Sequence, residues 1–210
     1  IVQRVAKRIA SASGENFAWE TILIESPEVN AWCMPGGKMA VYTGIIPVLK
    51  TEAALAAVMG HEVAHATLRH GKQRYARAIK ENILGMVAGA AVIVGGQFLC
   101  KTEMCKNLSM LGGAAAGFAL TFFDRKFSRA DESNADKEGQ IYMARAGYDP
   151  EEAPRLWDRM SAANGGKAPP EFMSTHPSDT TRKTMLNNWM SEASQVYQKA
   201  PHKYGLGENI

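Results

Sequence analysis

The stretch Thr51-Glu52-Ala53-Ala54-Leu55-Ala56-Ala57-Val58-Met59-Gly60-His61-Glu62-Val63-Ala64-His65-Ala66 decides how the rest of this chain is to be read. Thr51 is a helix N-cap type, and the run from Glu52 to Arg69 contains no proline, a single glycine at Gly60 and many Ala and Leu residues. It predicts a helix that stops before Gly71, a residue suited to the left-handed position after a helix end. Inside it lies His61-Glu62-Val63-Ala64-His65, the H-E-x-x-H pattern. At about 100° and 1.5 Å per residue, positions i and i+4 share one face one turn apart, so His61 and His65 can meet one tetrahedral metal ion. Glu62, turned about 100° from His61, reaches beside the metal toward a bound water.

Outward from this helix the chain reads as α+β, mainly helical with a small sheet. Ile1 to Ala12 carries Ile1, Val5 and Ile9 on one stripe and predicts an amphipathic helix. Trp19 to Ile24 and Ala31 to Thr43 are rich in β-branched and aromatic residues, the second broken at Pro35-Gly36-Gly37 as a hairpin would be. Asp124 to Ala146, Pro150 to Met160 and Asp179 to Lys199 predict further helices, with a Gly/Pro linker at Asn164 to Pro170. Two uncharged Gly- and Ala-rich arms, Asn82 to Leu99 and Leu108 to Phe123, flank a polar elbow. Each is at or below the ~20 residues of a bilayer span, which leaves two readings for 83–123: a soluble helical hairpin or lid, and an element that dips into a membrane.

The chain has 210 residues, 46% hydrophobic and 21% charged, which suits one packed domain over 1–210 and excludes disorder, collagen and disulfide scaffolds. A net charge of +3 is too slight to imply a nucleic-acid groove, so nucleic acid is not an expected partner. Cys33, Cys100 and Cys105 form no C-x-x-C pair, so the chemistry is not cysteine-based. Cys100 and Cys105 either bridge the elbow, as an oxidising compartment would favour, or remain free thiols. The chain begins at Ile1 with no methionine or signal-like segment and is expected to be a mature or trimmed piece of a longer product.

A catalytic zinc keeps three protein ligands and an open position, so a third ligand must come from elsewhere. The densest acidic cluster is Asp131, Glu132, Asp136 and Glu138. On a helix Glu132 and Asp136 are i and i+4, so one can bind the metal while the other steadies a ligand imidazole. His70, His202 and the basic run Arg69 to Lys80 are expected on solvated surface.

Four blocks in order, Asn30 to Gly37, His61 to His65, Ser128 to Asp136 and Ser174-Thr175-His176-Pro177 through Arg182, resemble the motifs of metallopeptidase family 48. The resemblance covers nearly the whole chain and is nearest the soluble periplasmic BepA and LoiP type branch, since the membrane members carry long spans. It implies a zincin-like fold and zinc-dependent hydrolysis of peptide bonds, with Glu132 as third zinc ligand and Asp136 supporting the site. It further implies that the segment Ala31, Trp32, Cys33 and Met34 forms a sheet edge beside the cleft, able to take a protein or peptide substrate as an added strand. Unfolded or misassembled proteins fit such backbone recognition. The resemblance puts the chain in the periplasm, with contact to a membrane surface or outer-membrane assembly as a further expectation, and assigns no oligomeric state. His176 is either an electrophilic helper at the oxyanion or a plug on the metal. In the second case the chain would be a latent, non-catalytic zinc-stabilised chaperone or adaptor.

Overall fold

A computed structural model describes residues 1–74, 76–77, 127–163, 176, 180–207 and 209–210. The chain divides into two compact units, Ile1–His70 with Lys126–Ile210, and Gly71–Arg125. In the second unit the described residues 71–74 and 76–77 are helical, and Arg74 is buried, unlike the solvated face expected of the basic run. The expected hairpin at 83–123, the Cys100 and Cys105 pair and the linker at 164–170 lie outside the described residues. Among the described residues no helix is long and apolar enough to cross a membrane.

The first unit is α+β and mainly helical. It contains α1 (Val2–Ser13), β1 (Glu20–Ile24), β2 (Ala31–Met34), β3 (Lys38–Tyr42), a short α2 (Ile46–Leu49), α3 (Glu52–Thr67), α4 (Arg129–Arg145), α5 (Glu152–Ala163) and α6 (Thr180–Lys199). The sheet has the order β1-β3-β2, with β1 parallel to β3 and β2 antiparallel to it. The turn between β2 and β3 uses Gly36 and Gly37 at φ 94° and 95°, backbone that other residues adopt only at a steric cost. β2 is therefore a sheet edge, with Ala31 and Cys33 buried and Trp32 and Met34 half-buried.

Helix α3 is the axis of the core. Thr51 caps it by accepting from the Ala54 N–H at 3.1 Å, and every residue from Glu52 to Ala66 is buried. A helix buried on all sides cannot be amphipathic, which is why small alanines rather than an apolar stripe fill it. Its first residue, Glu52, is 1% exposed and is held by Arg4 at 2.6 Å, Arg8 at 3.1 Å and the Tyr148 hydroxyl at 2.8 Å. The negative charge thus sits at the positive end of the helix dipole with cations around it.

The end of α3 departs from expectation. The left-handed residue is Arg69 (φ 59°), not Gly71, and helical backbone resumes at His70. α4 begins with a capping box in which Ser128 accepts from the Asp131 N–H and Asp131 accepts from the Ser128 N–H, both at 3.2 Å. α3 and α4 meet at glycines: a Cβ on Gly60 would lie 2.6 Å from the Gly139 carbonyl oxygen, and one on Gly139 would lie 2.6 Å from the His61 nitrogen. Backbone-to-backbone contact here is possible only because both positions lack side chains.

Candidate metal centre

The glycine crossing sets the site. Glu132, Asp136 and Gly139 are i, i+4 and i+7 on α4, so the face that touches α3 at Gly60 also turns both carboxylates toward His61 and His65. His61 Nε2 lies 3.1 Å from His65 Nε2, 3.1 Å from His176 Nδ1 and 3.4 Å from Glu132 Oε2. Glu132 Oε1 is 3.4 Å from His65 Nε2 and 3.1 Å from His176 Nδ1. All four side chains are buried, and their donor atoms lie within 4.8 Å of one another.

These spacings test the fit of a metal. Donors 2.0–2.2 Å from a tetrahedral zinc stand about 3.3–3.6 Å apart along the edges; the contacts of 3.1–3.4 Å here, shared between the two Glu132 oxygens, come close to that, and one donor atom from each residue falls within 4.8 Å of the others. Three imidazole nitrogens and one carboxylate oxygen are a zinc set in chemistry as well as in spacing. Without a cation, aiming these lone pairs at a common centre would be costly in so buried a place.

The groups behind the donors hold them. His61 Nδ1 lies 2.9 Å from Asp136 Oδ1, and Arg182 grips Asp136 with Nε at 2.7 Å and a terminal nitrogen at 2.5 Å while its other terminal nitrogen meets Glu132 Oε2 at 2.8 Å. The Arg182 guanidinium in turn stacks 3.8 Å from the centre of the Trp157 ring. Burial works against charge on Asp136, but Arg182 and His61 beside it hold its carboxyl below the usual range. Burial also opposes charge on His61, yet Asp136 and Glu132 outweigh it and raise the metal-free imidazole to about 9. For His65 burial prevails and pushes the ring well below its ordinary value, so His65 is neutral as a metal ligand requires. Glu132 is held far below the carboxylate range because three histidines and Arg182 surround it and overcome its burial.

Glu62 projects to the other side of His61. Its Oε1 stands 3.3 Å from His176 Nε2, and it accepts a backbone hydrogen bond from Cys33 on β2. Burial pushes its carboxyl above the ordinary range. Cys33 contributes through its backbone, for its thiol is buried and its pKa raised by that burial and by Glu62.

Of the residues singled out in the sequence, His61, His65, Glu132 and His176 converge, Glu62 and Asp136 border them, and β2 lies beside Glu62. Three participants were not anticipated. His70, expected on the surface, is 3% exposed with its Nδ1 3.1 Å from His65 Nδ1. A spacing of five residues leaves the shared face of a continuous helix, and only the turn at Arg69 brings the ring back. Arg182 lay within a quoted block without a role, since a basic residue in a first helical turn is ordinarily solvated. Phe127, whose ring centre is 3.9 Å from that of His65, carries no sequence signal.

The profile of Peptidase family M48 matches residues 1–190. Among curated relatives, the chain is 37% identical over 195 residues to the mitochondrial metalloendopeptidase OMA1 of Schizosaccharomyces pombe, covering 91% of this chain and 53% of that protein. It is 33% identical over 192 residues to the Arabidopsis thaliana mitochondrial metalloendopeptidase OMA1 (90% and 36%), and 26% identical over 201 residues to the β-barrel assembly-enhancing protease of Escherichia coli (95% and 40%). The chain thus spans about half or less of these relatives' lengths. The profile takes in both crossing helices and Arg182, and the chain belongs to Peptidase family M48.

Proposed function

We propose that this chain is the catalytic domain of a zinc metalloendopeptidase, with zinc held by His61, His65 and Glu132. The observation that carries the reading is the set of four buried donors, within 4.8 Å of one another, beside a buried carboxyl, Glu62, that is not needed to complete the set. Zinc bound there would polarise a substrate carbonyl and make a water acidic enough to lose its proton near neutral pH. Glu62 accepts that proton and returns it to the leaving amine, a role its burial suits by bringing its affinity for protons closer to neutrality. Asp136 keeps the His61 proton on Nδ1, leaving Nε2 for the metal. The strand β2, from Ala31 to Met34, which among the described residues is an outer strand of the sheet, takes the substrate backbone as an added strand, which favours extended segments of unfolded or misassembled proteins.

A second reading is favoured by one specific contact. His176 Nδ1 stands at hydrogen-bond distance from both His61 Nε2 and Glu132 Oε1, where a fourth zinc ligand would be. In that arrangement the domain is latent and acts as a zinc-stabilised chaperone or adaptor until His176 leaves the site. The relatives' names support two placements, mitochondrial and β-barrel assembly-associated; the periplasm with contact to outer-membrane assembly is the one proposed here.

The test is Glu62→Gln. The variant should keep about one zinc per chain by elemental analysis while casein hydrolysis falls at least ~10²-fold, because a carboxamide cannot take the proton. Activity equal to that of a wild type that measurably hydrolyses casein, or equal activity of the two in the His176→Ala background, would remove Glu62 from the role.

A further inference from the structure

His70 stands behind a donor of the proposed zinc site and has no part in the mechanism so far. Its ring is buried, with Nδ1 3.1 Å from His65 Nδ1 and Nε2 3.9 Å from Asp131 Oδ1. His65 turns its other nitrogen, Nε2, to His61 Nε2 at 3.1 Å and Glu132 Oε1 at 3.4 Å. An imidazole that offers the Nε2 lone pair to a metal carries its proton on Nδ1, so the His65 atom facing His70 is a donor. Two N–H groups cannot share one hydrogen bond, so His70 Nδ1 must accept and the His70 proton must sit on Nε2. That nitrogen faces Asp131, whose Oδ2 is engaged by the Ser128 N–H of the capping box and whose Oδ1 is the oxygen turned to His70. At 3.9 Å this last contact is electrostatic rather than a hydrogen bond, and it favours the same tautomer. Phe127, with its ring centre 3.9 Å from that of His65 and 6.4 Å from that of His70, packs against both rings.

We propose that His70 is a positioning residue of the zinc site: its Nδ1 accepts the His65 Nδ1–H and holds that ring in the tautomer and orientation that present Nε2 to the metal. The two histidines of the H-E-x-x-H pattern then have unlike supports, a carboxylate (Asp136) behind His61 and an imidazole (His70) behind His65. This inference rests on the zinc reading above.

The experiment uses the whole zinc-loaded chain. Long-range proton–nitrogen NMR of the wild-type histidine rings should show the His65 proton on Nδ1 and the His70 proton on Nε2. Competition with a chromophoric chelator should give a zinc dissociation constant about 10- to 100-fold weaker in His70→Leu, and His70→Asn, whose carboxamide oxygen can stand where Nδ1 was, should recover most of the loss. A His70 proton on Nδ1, wild-type affinity in His70→Leu, or equal weakness of the Leu and Asn variants would each overturn the assignment. If His70→Leu does not fold, the wild-type tautomers and the Asn variant decide it. Failure of the wild type itself to retain zinc would refute the zinc reading and this inference together, whereas full zinc retention with an indifferent His70 refutes only the latter.

Discussion

Glu62 and His176 face each other across 3.3 Å, and the sign of one substitution separates the two roles open to His176. As a plug, His176 occupies the position a water needs, so His176→Ala should raise hydrolysis of a quenched-fluorescence peptide. As a support for a developing oxyanion, the same change should lower kcat by roughly 10²- to 10³-fold. The Nδ1 contacts at 3.1 Å favour the plug, and a rise in rate is the expected outcome. Asp136 makes a separate case. Its oxygen at 2.9 Å from His61 Nδ1 should be replaced poorly by Asp136→Asn, which can present the amide and leave Arg182 short of a carboxylate. Zinc affinity should drop about 10- to 100-fold by chelator competition, and an unchanged constant would show that Arg182 and Glu132 suffice.

Among the elements, the crossing of α3 and α4 carries the most weight. Helix propensity alone would make Gly139→Ala stabilising by up to about 1 kcal/mol. The added Cβ would lie 2.6 Å from the His61 nitrogen and 2.7 Å from the Gly60 carbonyl carbon, both backbone atoms that cannot rotate away. Overpacking of this kind costs about 1–3 kcal/mol, and because the clash is with His61 itself the helices can part only by spreading the donors. Thermal melting should therefore show destabilisation together with weaker zinc retention. A higher melting temperature would mean that the helices yield without strain.

For the whole molecule, the C-terminal tail closes the first unit over the start of α3. The Ile210 N–H donates to the Lys50 carbonyl at 3.1 Å, Tyr204 forms a bridge with Tyr148, and Arg8 lies 3.5 Å from the Tyr204 ring centre. Tyr148 is fully buried beside Glu52, and burial with the neighbouring carboxylate raises its phenol above the ordinary value of 10. A group whose folded-state pKa is raised contributes stability below its unfolded pKa and loses it as pH rises toward the folded one. Unfolding free energy should accordingly decline above pH ~10, and Tyr148→Phe should decline less steeply over that range even though its loss of two hydrogen bonds makes it less stable at pH 8. Urea titrations at both pH values measure the two slopes, and identical slopes would exclude Tyr148 as the titrating group. Zinc acts on the same unit by mass action: at about 1,000 times its dissociation constant it should add ~4 kcal/mol, seen as a fall in melting temperature on chelation.

The sequence by itself determined what depends on local spacing. The H-E-x-x-H helix and its Thr51 cap, the hairpin at Gly36-Gly37, and the i, i+4 pair Glu132 and Asp136 are all set by period and cap chemistry, and each lies where its residues predict. Only the tertiary structure decided what depends on one element meeting another. That Asp131 faces His70, that Arg182 reaches across to Asp136 and Glu132, and that Phe127 packs on His65 follow from the turn at Arg69 and the glycine crossing. No periodicity encodes them, because their partners are 46 to 62 residues apart and are joined only when α3, α4 and α6 pack.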